Sequence, residues 1–300
     1  MHILITGGTG LIGSELCHAF LLSGHQLTIL SRHPSRVQKK WGDAIKTISR
    51  LSEWDETTYF DAVINLAGEP IIDASWSESR KKLLWDSRVT LTEELVRRIA
   101  TCLHKPAVLL SGSAIGYYGD RGDESLTESS SAGTDFAAQL CVAWESAANR
   151  ASEFGVRVCL LRTGLVLSSK GGLLKRMVLP FKLGLGARLG NGKQWMSWIC
   201  IDDYVSIVLK LIADADATGA YNMTSPHPET NRVFTAQMAH VLHRPAWFVA
   251  PSIVLKTMLG SRSVLLLGGQ KVLPAKLSKS LFRFTYEHLD SALKACCYQR

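Results

Sequence analysis

The sequence predicts an α/β protein built on a doubly wound parallel sheet, with helices on both faces and a smaller C-terminal α/β part. Two observations support this prediction. An apolar run at residues 3–5 leads directly into a glycine-rich turn at residues 6–13, and a helical pattern of apolar residues follows. Further apolar runs at residues 61–66 and 107–110 end in small or hydroxyl-bearing residues, which is typical of parallel strands beside a ligand cleft.

The glycine turn predicts a dinucleotide site. A helix N-terminus presents unpaired backbone N–H groups and the positive end of its dipole, which suit a diphosphate. Glycines permit unusual φ angles and leave no Cβ between backbone and phosphate, and the third glycine lets the helix pack close to the strand. This arrangement is that of a Rossmann-type fold. The predicted cofactor contacts in the turn are Gly7, Thr9, Gly10, Leu11, Ile12 and Gly13.

The end of the second strand indicates which dinucleotide binds. This strand spans residues 25–30, and Ser31 and Arg32 end it. An acidic residue there would bind the ribose 2′-hydroxyl of NAD, whereas an arginine accommodates the 2′-phosphate of NADP. Because no acidic residue ends the strand, we predict NADP(H) as the cofactor and both Ser31 and Arg32 as contacts. The alternative is that Arg32 is only a solvated charge.

The next clear strand, at residues 61–66, also ends in small residues. A cofactor that lies close to a strand end requires such residues, so Leu66, Ala67 and Gly68 are predicted contacts. A helical stretch from about residue 77 to residue 99 follows, as its apolar periodicity indicates.

A hydroxyl-rich loop follows the strand at residues 107–110. It contains Ser113 and the tandem pair Tyr117 and Tyr118. Ligands of open α/β sheets bind outside the carboxyl ends of the strands, so these hydroxyls are expected to face the same cleft as the glycine turn. They are the candidate catalytic groups.

Several motifs together carry a family resemblance. They are T-G-G-T-G-L-I-G at residues 6–13, N-L-A-G-E-P at residues 65–70, the tandem tyrosine after S-G, L-R-T-G-L-V-L at residues 161–167 and P-F-K-L-G-L-G at residues 180–186. Across essentially its whole length the chain resembles the YfcH-like epimerase-family proteins, an atypical subgroup of the extended short-chain dehydrogenase/reductases. The resemblance implies NADP(H) binding and supplies no substrate.

The resemblance also implies roles for individual residues. Ser113 matches the hydroxyl that polarises a substrate carbonyl or alcohol, and Tyr117 or Tyr118 would replace the usual proton donor. Val166 matches a strand end that passes the nicotinamide. Arg88 lies where extended relatives carry an inward polar residue, so it either holds a diphosphate or the substrate, or is a surface arginine.

One departure from the wider superfamily concerns the catalytic helix. Short-chain dehydrogenases use a Tyr-x-x-x-Lys motif, in which the tyrosine is the general acid/base and the lysine lowers its pKa. In our alignment Phe136 and Leu140 stand at these positions. Phenylalanine has no transferable proton and leucine carries no charge.

Two functions follow from this departure. The first is an NADP(H)-dependent oxidoreductase or epimerase that acts on a small carbonyl or sugar-like substrate, with Ser113 and a neighbouring tyrosine as substitutes. The second is a non-catalytic NADP(H)-binding sensor or interaction protein. A tyrosine with an ordinary pKa near 10 is a poor base at neutral pH, which is why the second function stays open.

The chain divides into two predicted parts. Residues 1–168 form the NADP-binding domain, and residues 169–300 form a substrate-binding part with a family-specific tail at about residues 249–297. Strands near residues 199–204 and 219–223 are candidates to return to the first domain. The basic, glycine-rich loop before them, with Trp195 and Trp198, suits an anionic or sugar-like ligand or is a structured surface loop.

Composition excludes several other classes. The 300 residues carry a net charge of +8 in scattered positions, without a nucleic-acid motif, and no apolar stretch has the length of a membrane span. The seven cysteines form no C-x-x-C pair, and neither histidines nor cysteines show metal-ligand spacing. We therefore expect a cytoplasmic protein with reduced thiols and no metal, as a monomer or homodimer.

Overall fold

The computed structural model describes residues 1–298. Within that range the strands are β1 (His2–Thr6), β2 (Gln26–Leu30), β3 (Ile45–Ile48), β4 (Ala62–Asn65), β5 (Val108–Ala114), β6 (Ser125–Leu126), β7 (Arg157–Thr163), β8 (Leu165–Leu167), β9 (Ala187–Leu189), β10 (Trp195–Met196), β11 (Trp198–Cys200), β12 (Gly219–Met223), β13 (Glu229–Thr230), β14 (Phe248–Ala250) and β15 (Lys271–Val272). The helices of the same range are α1 (Leu11–Leu22), α2 (Pro34–Trp41), α3 (Glu78–Trp85), α4 (Leu91–Thr101), α5 (Phe136–Asn149), α6 (Gly172–Lys182), α7 (Ile201–Ala213), α8 (Asn231–Val241), α9 (Ser252–Leu259), α10 (Val264–Leu267), α11 (Ala275–Lys279) and α12 (Leu289–Tyr298).

A seven-stranded parallel sheet lies at the centre, in the order β12-β7-β5-β4-β1-β2-β3. The strand order reverses at β1, which pairs with β2 on one side and β4 on the other. Thr6 thus lies opposite both Leu30 and Asn65, and Ser113 lies opposite Arg162. The carboxyl ends of these strands share one edge, and a crevice at such a switch point is where ligands of open α/β sheets bind.

Helices cover both faces of the sheet. Ile3 and Ile5 of β1 point to one face and pack with Phe20 of α1 and Ile207 of α7, whereas Leu4 points to the opposite face. Strands that are buried on both faces read as continuous apolar runs, which is what the N-terminal strand shows. The predicted doubly wound fold is confirmed.

The helical stretch predicted from residue 77 to residue 99 is also present. It comprises α3 and α4, joined without a break by a π-helical turn at Asp86–Thr90. Ser77 caps the start of α3 through its side chain, which accepts a hydrogen bond from the N–H of Arg80. Serine is a favoured N-cap residue because it satisfies one of the orphan donors of the first turn.

The C-terminal part returns to the central sheet. β12 forms the edge strand beside β7, and α7 packs against α1. The strand expected near residues 199–204 is shorter than predicted, because β11 ends at Cys200 and helix α7 begins with the next residue. β11 pairs with β8 in a separate two-stranded sheet.

The basic, glycine-rich segment of residues 170–198 is not a loop throughout. Most of its first half forms the eleven-residue helix α6, and Gly184, Gly190 and Gly192 make turns with positive φ angles after it. Leu174 and Phe181 of α6 are buried, so apolar anchoring outweighs the local glycine content.

Two further expectations concern the whole chain. Among the helices of residues 1–298, none combines the length and apolarity needed to cross a membrane. Within the same residues the seven cysteines are free, and the sulfurs of Cys200 and Cys296 are 3.9 Å apart.

Candidate functional site

The glycine turn has a geometry that only glycines allow at two positions. Gly7 has φ +72°, and a Cβ there would lie 2.6 Å from the carbonyl oxygen of Leu66. A Cβ on Gly13 would lie 2.3 Å from the carbonyl oxygen of Gly7. Both distances are far inside van der Waals contact. Gly7 therefore sets the close approach to the loop after β4, and Gly13 sets the approach of α1 to the turn.

The turn delivers the N-terminus of α1 to the sheet edge. The first backbone hydrogen bond of the helix runs from Ser14 to Gly10 at 2.9 Å, so the N–H groups of Leu11, Ile12 and Gly13 precede it. The first turn of α1 includes no acidic side chain. Such an end attracts anions, so the residues present fit a diphosphate.

A buried hydrogen-bond chain holds the neighbouring strand ends together. Thr6 Oγ1 donates to Asn65 Oδ1 at 2.7 Å and accepts from the N–H of Ala67 at 3.1 Å. Asn65 Nδ2 donates to Thr92 Oγ1 at 2.7 Å. These contacts fix the Leu66–Gly68 loop beside the glycine turn, where sequence analysis predicts cofactor contacts.

Arg32 lies at the exposed end of the site. Its side chain is 77% exposed, and its Nη2 is 2.8 Å from Oε1 of Glu69. Ser31, immediately before it, accepts a hydrogen bond from the N–H of His33 at 3.1 Å. Arg32 is thus an exposed cation at the end of β2, and it forms an ion pair with Glu69 in the loop after β4.

Arg88 is not the surface arginine that one interpretation of the sequence expected. Its Nη2 donates to the carbonyl oxygen of Glu69 at 2.8 Å, and its Nη1 donates to that of Leu84 at 3.3 Å. A Cβ on Gly68 would lie 3.0 Å from Arg88 Cζ. Burial lowers the pKa of the guanidinium. Arg88 therefore holds the Gly68–Glu69 loop by a hydrogen bond to the Glu69 carbonyl oxygen. Its contact with a diphosphate or a substrate stays a prediction.

Ser113 belongs to a buried charged network that motif analysis missed. Its hydroxyl donates to Glu145 Oε1 at 2.7 Å. Arg162 donates two hydrogen bonds to the same carboxylate, from Nε to Oε1 at 2.8 Å and from Nη2 to Oε2 at 2.9 Å. The three residues are 4–6% exposed. Bidentate arginine–carboxylate pairs are geometrically specific, so Ser113 is held in one orientation.

The electrostatics of this network follow from its burial. Burial disfavours the charge of Arg162, but the hydrogen bonds and the negative charge of Glu145 outweigh it and raise the pKa of the guanidinium. The Arg162 guanidinium therefore stays charged within the buried network. The sequence gives only a weak indication of this ion pair. Arg162 lies inside the apolar strand β7 and Glu145 lies on the buried face of α5, and charged residues are rarely buried without a partner.

The two tyrosines after Ser113 have different environments. Tyr118 is completely buried; its hydroxyl donates to Asn222 Oδ1 at 2.6 Å and accepts from Arg162 Nη1 at 3.0 Å. Burial raises its pKa above the ordinary value. Tyr117 is half-buried, and its ring lies over the Arg162 guanidinium with 3.5 Å between Cζ and the ring centroid. Of the two candidate proton donors, Tyr117 is the accessible one.

The helix face that meets Ser113 corrects our alignment of the catalytic helix. Cys141 lies against Ser113 and the N–H of Ala114, and Glu145 is one helical turn further on. Leu140 instead packs in an apolar cluster with Leu84 and Val89, and Phe136 packs against that cluster.

The inward positions are therefore one residue later than we predicted, at Ala137 and Cys141. The sequence could not distinguish the pair Phe136 and Leu140 from the pair Ala137 and Cys141. Both pairs are apolar residues four positions apart, on a helix that is buried along most of its length. The conclusion from the alignment is unchanged, since alanine and cysteine also supply neither a phenol nor an ammonium group.

Val166 borders the segment that covers the glycine turn, and its contact with the nicotinamide stays a prediction. It sits in β8, and both Val166 and Ile12 pack against the same core cluster. The following segment covers the turn, since a Cβ on Gly171 would lie 3.2 Å from Leu11 Cδ1. Lys170 Nζ reaches Glu15 at 2.8 Å and ties this segment to α1.

The two tryptophans of the basic loop do not both line a ligand surface. Trp198 is completely buried and donates to the carbonyl oxygen of His227 at 3.0 Å. Trp195 is partly exposed; its Nε1 donates to Asp123 Oδ1 at 2.7 Å, and the ammonium of Lys271 lies 4.7 Å from its ring. Only Trp195 remains as an aromatic candidate for the substrate side.

Comparison with family models gives two matches. The model described as "NAD dependent epimerase/dehydratase family" matches residues 3–224. The model described as "Domain of unknown function (DUF1731)" matches residues 250–296, which coincides with the tail that sequence analysis placed at about residues 249–297.

Similar proteins cover the chain from end to end. Epimerase family protein Mb2239 of Mycobacterium bovis is 40% identical over 296 residues, which is 97% of this chain and 96% of that protein. Epimerase family protein YfhF of Bacillus subtilis is 35% identical over 98% of this chain and 97% of its own length. The crystal structure of human epimerase family protein SDR39U1 with NADPH has a TM-score of 0.90 and 30% identity, covering 100% of both chains.

Proposed function

The chain belongs to the NAD dependent epimerase/dehydratase family, as an atypical extended short-chain dehydrogenase/reductase, and on this premise we propose that it is an NADP(H)-dependent oxidoreductase or epimerase. Its substrate is a small carbonyl or sugar-like compound. The observation that carries the proposal is the arrangement at one sheet edge of an anion-binding helix end, an exposed Arg32 and an oriented Ser113. The similar human protein that was crystallised with NADPH supports the choice of cofactor.

The cofactor is held by the turn and the strand ends. The N–H groups at the start of α1 bind the diphosphate, with Gly7 and Gly13 giving the backbone its close approach. Arg32 binds the 2′-phosphate and leaves Glu69 to do so, because a phosphate offers it more charge and more acceptor oxygens. Val166 lies along the nicotinamide. When bound, NADP(H) accepts or supplies the hydride.

Ser113 positions the substrate oxygen. Its proton is committed to Glu145, so the Ser113 oxygen is left as a hydrogen-bond acceptor, which suits a substrate hydroxyl. Tyr117 is the proton donor or acceptor, because its ring is accessible while that of Tyr118 is not. The Arg162 guanidinium lies against the face of the Tyr117 ring and holds the ring in place by a cation–π contact.

Binding and turnover together test this function. Purified protein is titrated with NADPH and with NADH, and is then incubated with NADPH or NADP and a panel of small carbonyls, alcohols and sugar nucleotides. Nicotinamide absorbance measures net redox change, and NMR of the products detects epimerisation. We expect tighter binding of NADPH than of NADH and turnover of at least one substrate. Failure to bind either nucleotide would overturn the whole proposal.

A second function is favoured by the catalytic helix. Cys141 lies against Ser113, and neither Cys141 nor Ala137, one turn earlier, carries a phenol or an ammonium group, so the usual proton-transfer pair of short-chain dehydrogenases is absent from these positions. A non-catalytic NADP(H) sensor would keep the nucleotide site and need no proton donor. Tight NADPH binding without turnover, and a partner interaction that depends on the cofactor, would support the sensor over the enzyme.

We place this activity in the cytoplasm. The seven thiols of the chain are free within residues 1–298, including a buried pair whose sulfurs are 3.9 Å apart. Free buried thiols are typical of proteins in reducing compartments, which supports the placement.

A further inference from the structure

A cluster of metal-ligating side chains lies outside the candidate site. The ligand atoms of His227, Glu287 and His288 are all within 4.8 Å of one another. The two imidazole rings are stacked, with 4.7 Å between centroids and 10° between planes. The cluster joins the loop after β12 to the residues just before α12. Sequence spacing predicted no metal site, because these residues meet only in the folded chain.

A buried serine fixes the backbones that carry these ligands. Ser225 is 1% exposed; its hydroxyl donates to the carbonyl oxygen of Glu287 at 2.8 Å and accepts from the N–H of His227 at 3.3 Å. The carbonyl oxygen of His227 also accepts from Trp198 Nε1. The backbones that carry the ligands are therefore held in a fixed relative position, because hydrogen bonds join the segment of His227 to the segment of Glu287.

We propose that His227, Glu287 and His288 form a binding site for a divalent transition-metal ion. Imidazole and carboxylate ligands suit zinc-like ions, whereas magnesium and calcium prefer oxygen ligands alone. A tetrahedral zinc ion separates its ligand atoms by about 3.3 Å. The exposed side chains reach this spacing by rotamer changes, since their backbones are already in place.

The ion would cross-link the loop after β12 to the residues that precede α12. Ser225 and His227 follow the last strand of the central sheet, whereas Glu287 and His288 precede the terminal helix, which packs on α8. A ligand that binds only the folded state stabilises that state. The proposal is independent of the nucleotide site and does not require the protein to be an enzyme.

Zinc titration of the tag-free full chain tests the site. Calorimetry with ZnCl₂ is expected to show one Zn²⁺ per chain with micromolar or tighter affinity, and the melting temperature rises with Zn²⁺ and returns on adding EDTA. The variants H227A, H288A and E287Q each weaken binding by about tenfold or more. The matched controls are H240A, an exposed histidine on α8, and D290N, a neighbouring carboxylate that pairs with Lys294.

Each outcome decides the proposal. Binding that is lost in the three site variants and kept in the two controls supports it. Circular dichroism confirms folding of each variant, and H227Q and H288Q replace any alanine variant that fails to fold. Absence of Zn²⁺ binding to the wild type, or binding that H227A and H288A leave unchanged, overturns it.

Discussion

The Ser113 hydroxyl donates a 2.7 Å hydrogen bond to the Glu145 carboxylate, which Arg162 holds from its other side. The three residues come from β5, α5 and β7, so one ion pair locks the catalytic-helix position to two strands of the sheet. This relationship explains why a buried charge is tolerated at the site: the polar atoms of the ion pair have hydrogen-bond partners, and the arrangement fixes the orientation of the Ser113 hydroxyl.

The first prediction concerns this ion pair. Glu145→Gln leaves the buried Arg162 charge without its counter-charge, so the free energy of unfolding falls by about 3 kcal/mol. Ser113→Ala removes one hydrogen bond and costs about 1 kcal/mol. Urea unfolding measures both, and the double variant tests their coupling. Strictly additive effects would contradict the idea that Ser113 and Glu145 act as one unit.

The tandem tyrosines provide the second prediction. Tyr118→Phe lowers the free energy of unfolding by about 2 kcal/mol, because Asn222 and Arg162 lose a buried partner. Tyr117→Phe leaves stability within about 0.5 kcal/mol and lowers kcat on any substrate found. Thermal melts and steady-state rates separate the two effects. Unchanged kcat in Tyr117→Phe would refute the proton-transfer role of Tyr117.

The third prediction concerns the glycine turn. In Gly13→Ala the new Cβ lies 2.3 Å from the carbonyl oxygen of Gly7, so the turn must shift and NADPH binding weakens by more than about tenfold. The control is Gly24→Ala at the other end of α1, where φ is +74° and a Cβ meets no atom within 4 Å. It costs about 1 kcal/mol of stability through backbone strain and leaves binding unchanged. Equal loss of binding in both variants would rule out a local effect of the turn.

The fourth prediction is a pH dependence caused by Cys141. Burial, reinforced by the charge of Glu145, raises the pKa of its thiol from 9.0 to about 11. The neutral thiol is favoured by folding, so its contribution is complete below pH 9 and is lost as the pH rises through about 11. Across that window the wild type loses roughly 2–3 kcal/mol relative to Cys141→Ala. Urea unfolding of both proteins measures this, and a pH-independent difference would contradict it.

The fifth prediction concerns Arg32 and Glu69. Arg32→Ala raises the Kd of NADPH by about tenfold or more and leaves that of NADH nearly unchanged, because only NADPH carries the 2′-phosphate. Glu69→Gln removes the competing carboxylate and tightens NADPH binding by up to about fivefold, the value of an exposed ion pair. Arg36→Ala, an exposed arginine on α2, is the control. Equal weakening of both nucleotides by Arg32→Ala would contradict the assignment.

Local patterns predicted the fold around the glycine turn. The glycine turn and the strand ends depend on residues that are adjacent in the sequence, and their physical requirements are strict. Gly7 and Gly13 occupy positions where a Cβ has no room, and Ala67 and Gly68 follow a strand whose end lies beside the turn. Sequence reasoning succeeds where the residues that impose a structural requirement are neighbours in the sequence.

Long-range contacts were beyond the sequence. Glu145 meets Ser113 only after α5 docks on the sheet, and one residue of helical register decides whether Leu140 or Cys141 faces the site. Arg32 meets Glu69 across the cleft between two loops. A search for ligand spacing likewise missed His227 and His288, because tertiary packing, and not spacing, brings them together.

Hydride transfer tests the central claim most directly. The protein is incubated with NADPH that carries deuterium at nicotinamide C4 and with the carbonyl and sugar-nucleotide panel, and the products are examined by mass spectrometry and NMR. An NADP(H)-dependent oxidoreductase places the deuterium on the carbonyl carbon that it reduces, and Tyr117→Phe slows this transfer while NADPH still binds. An epimerase starts from NADP and returns the substrate's own hydride, so it is detected in a parallel incubation with NADP by NMR of the inverted product. Tight NADPH binding with neither a deuterated product from NADPH nor an epimerised product from NADP would contradict catalysis and assign the protein to the non-catalytic class.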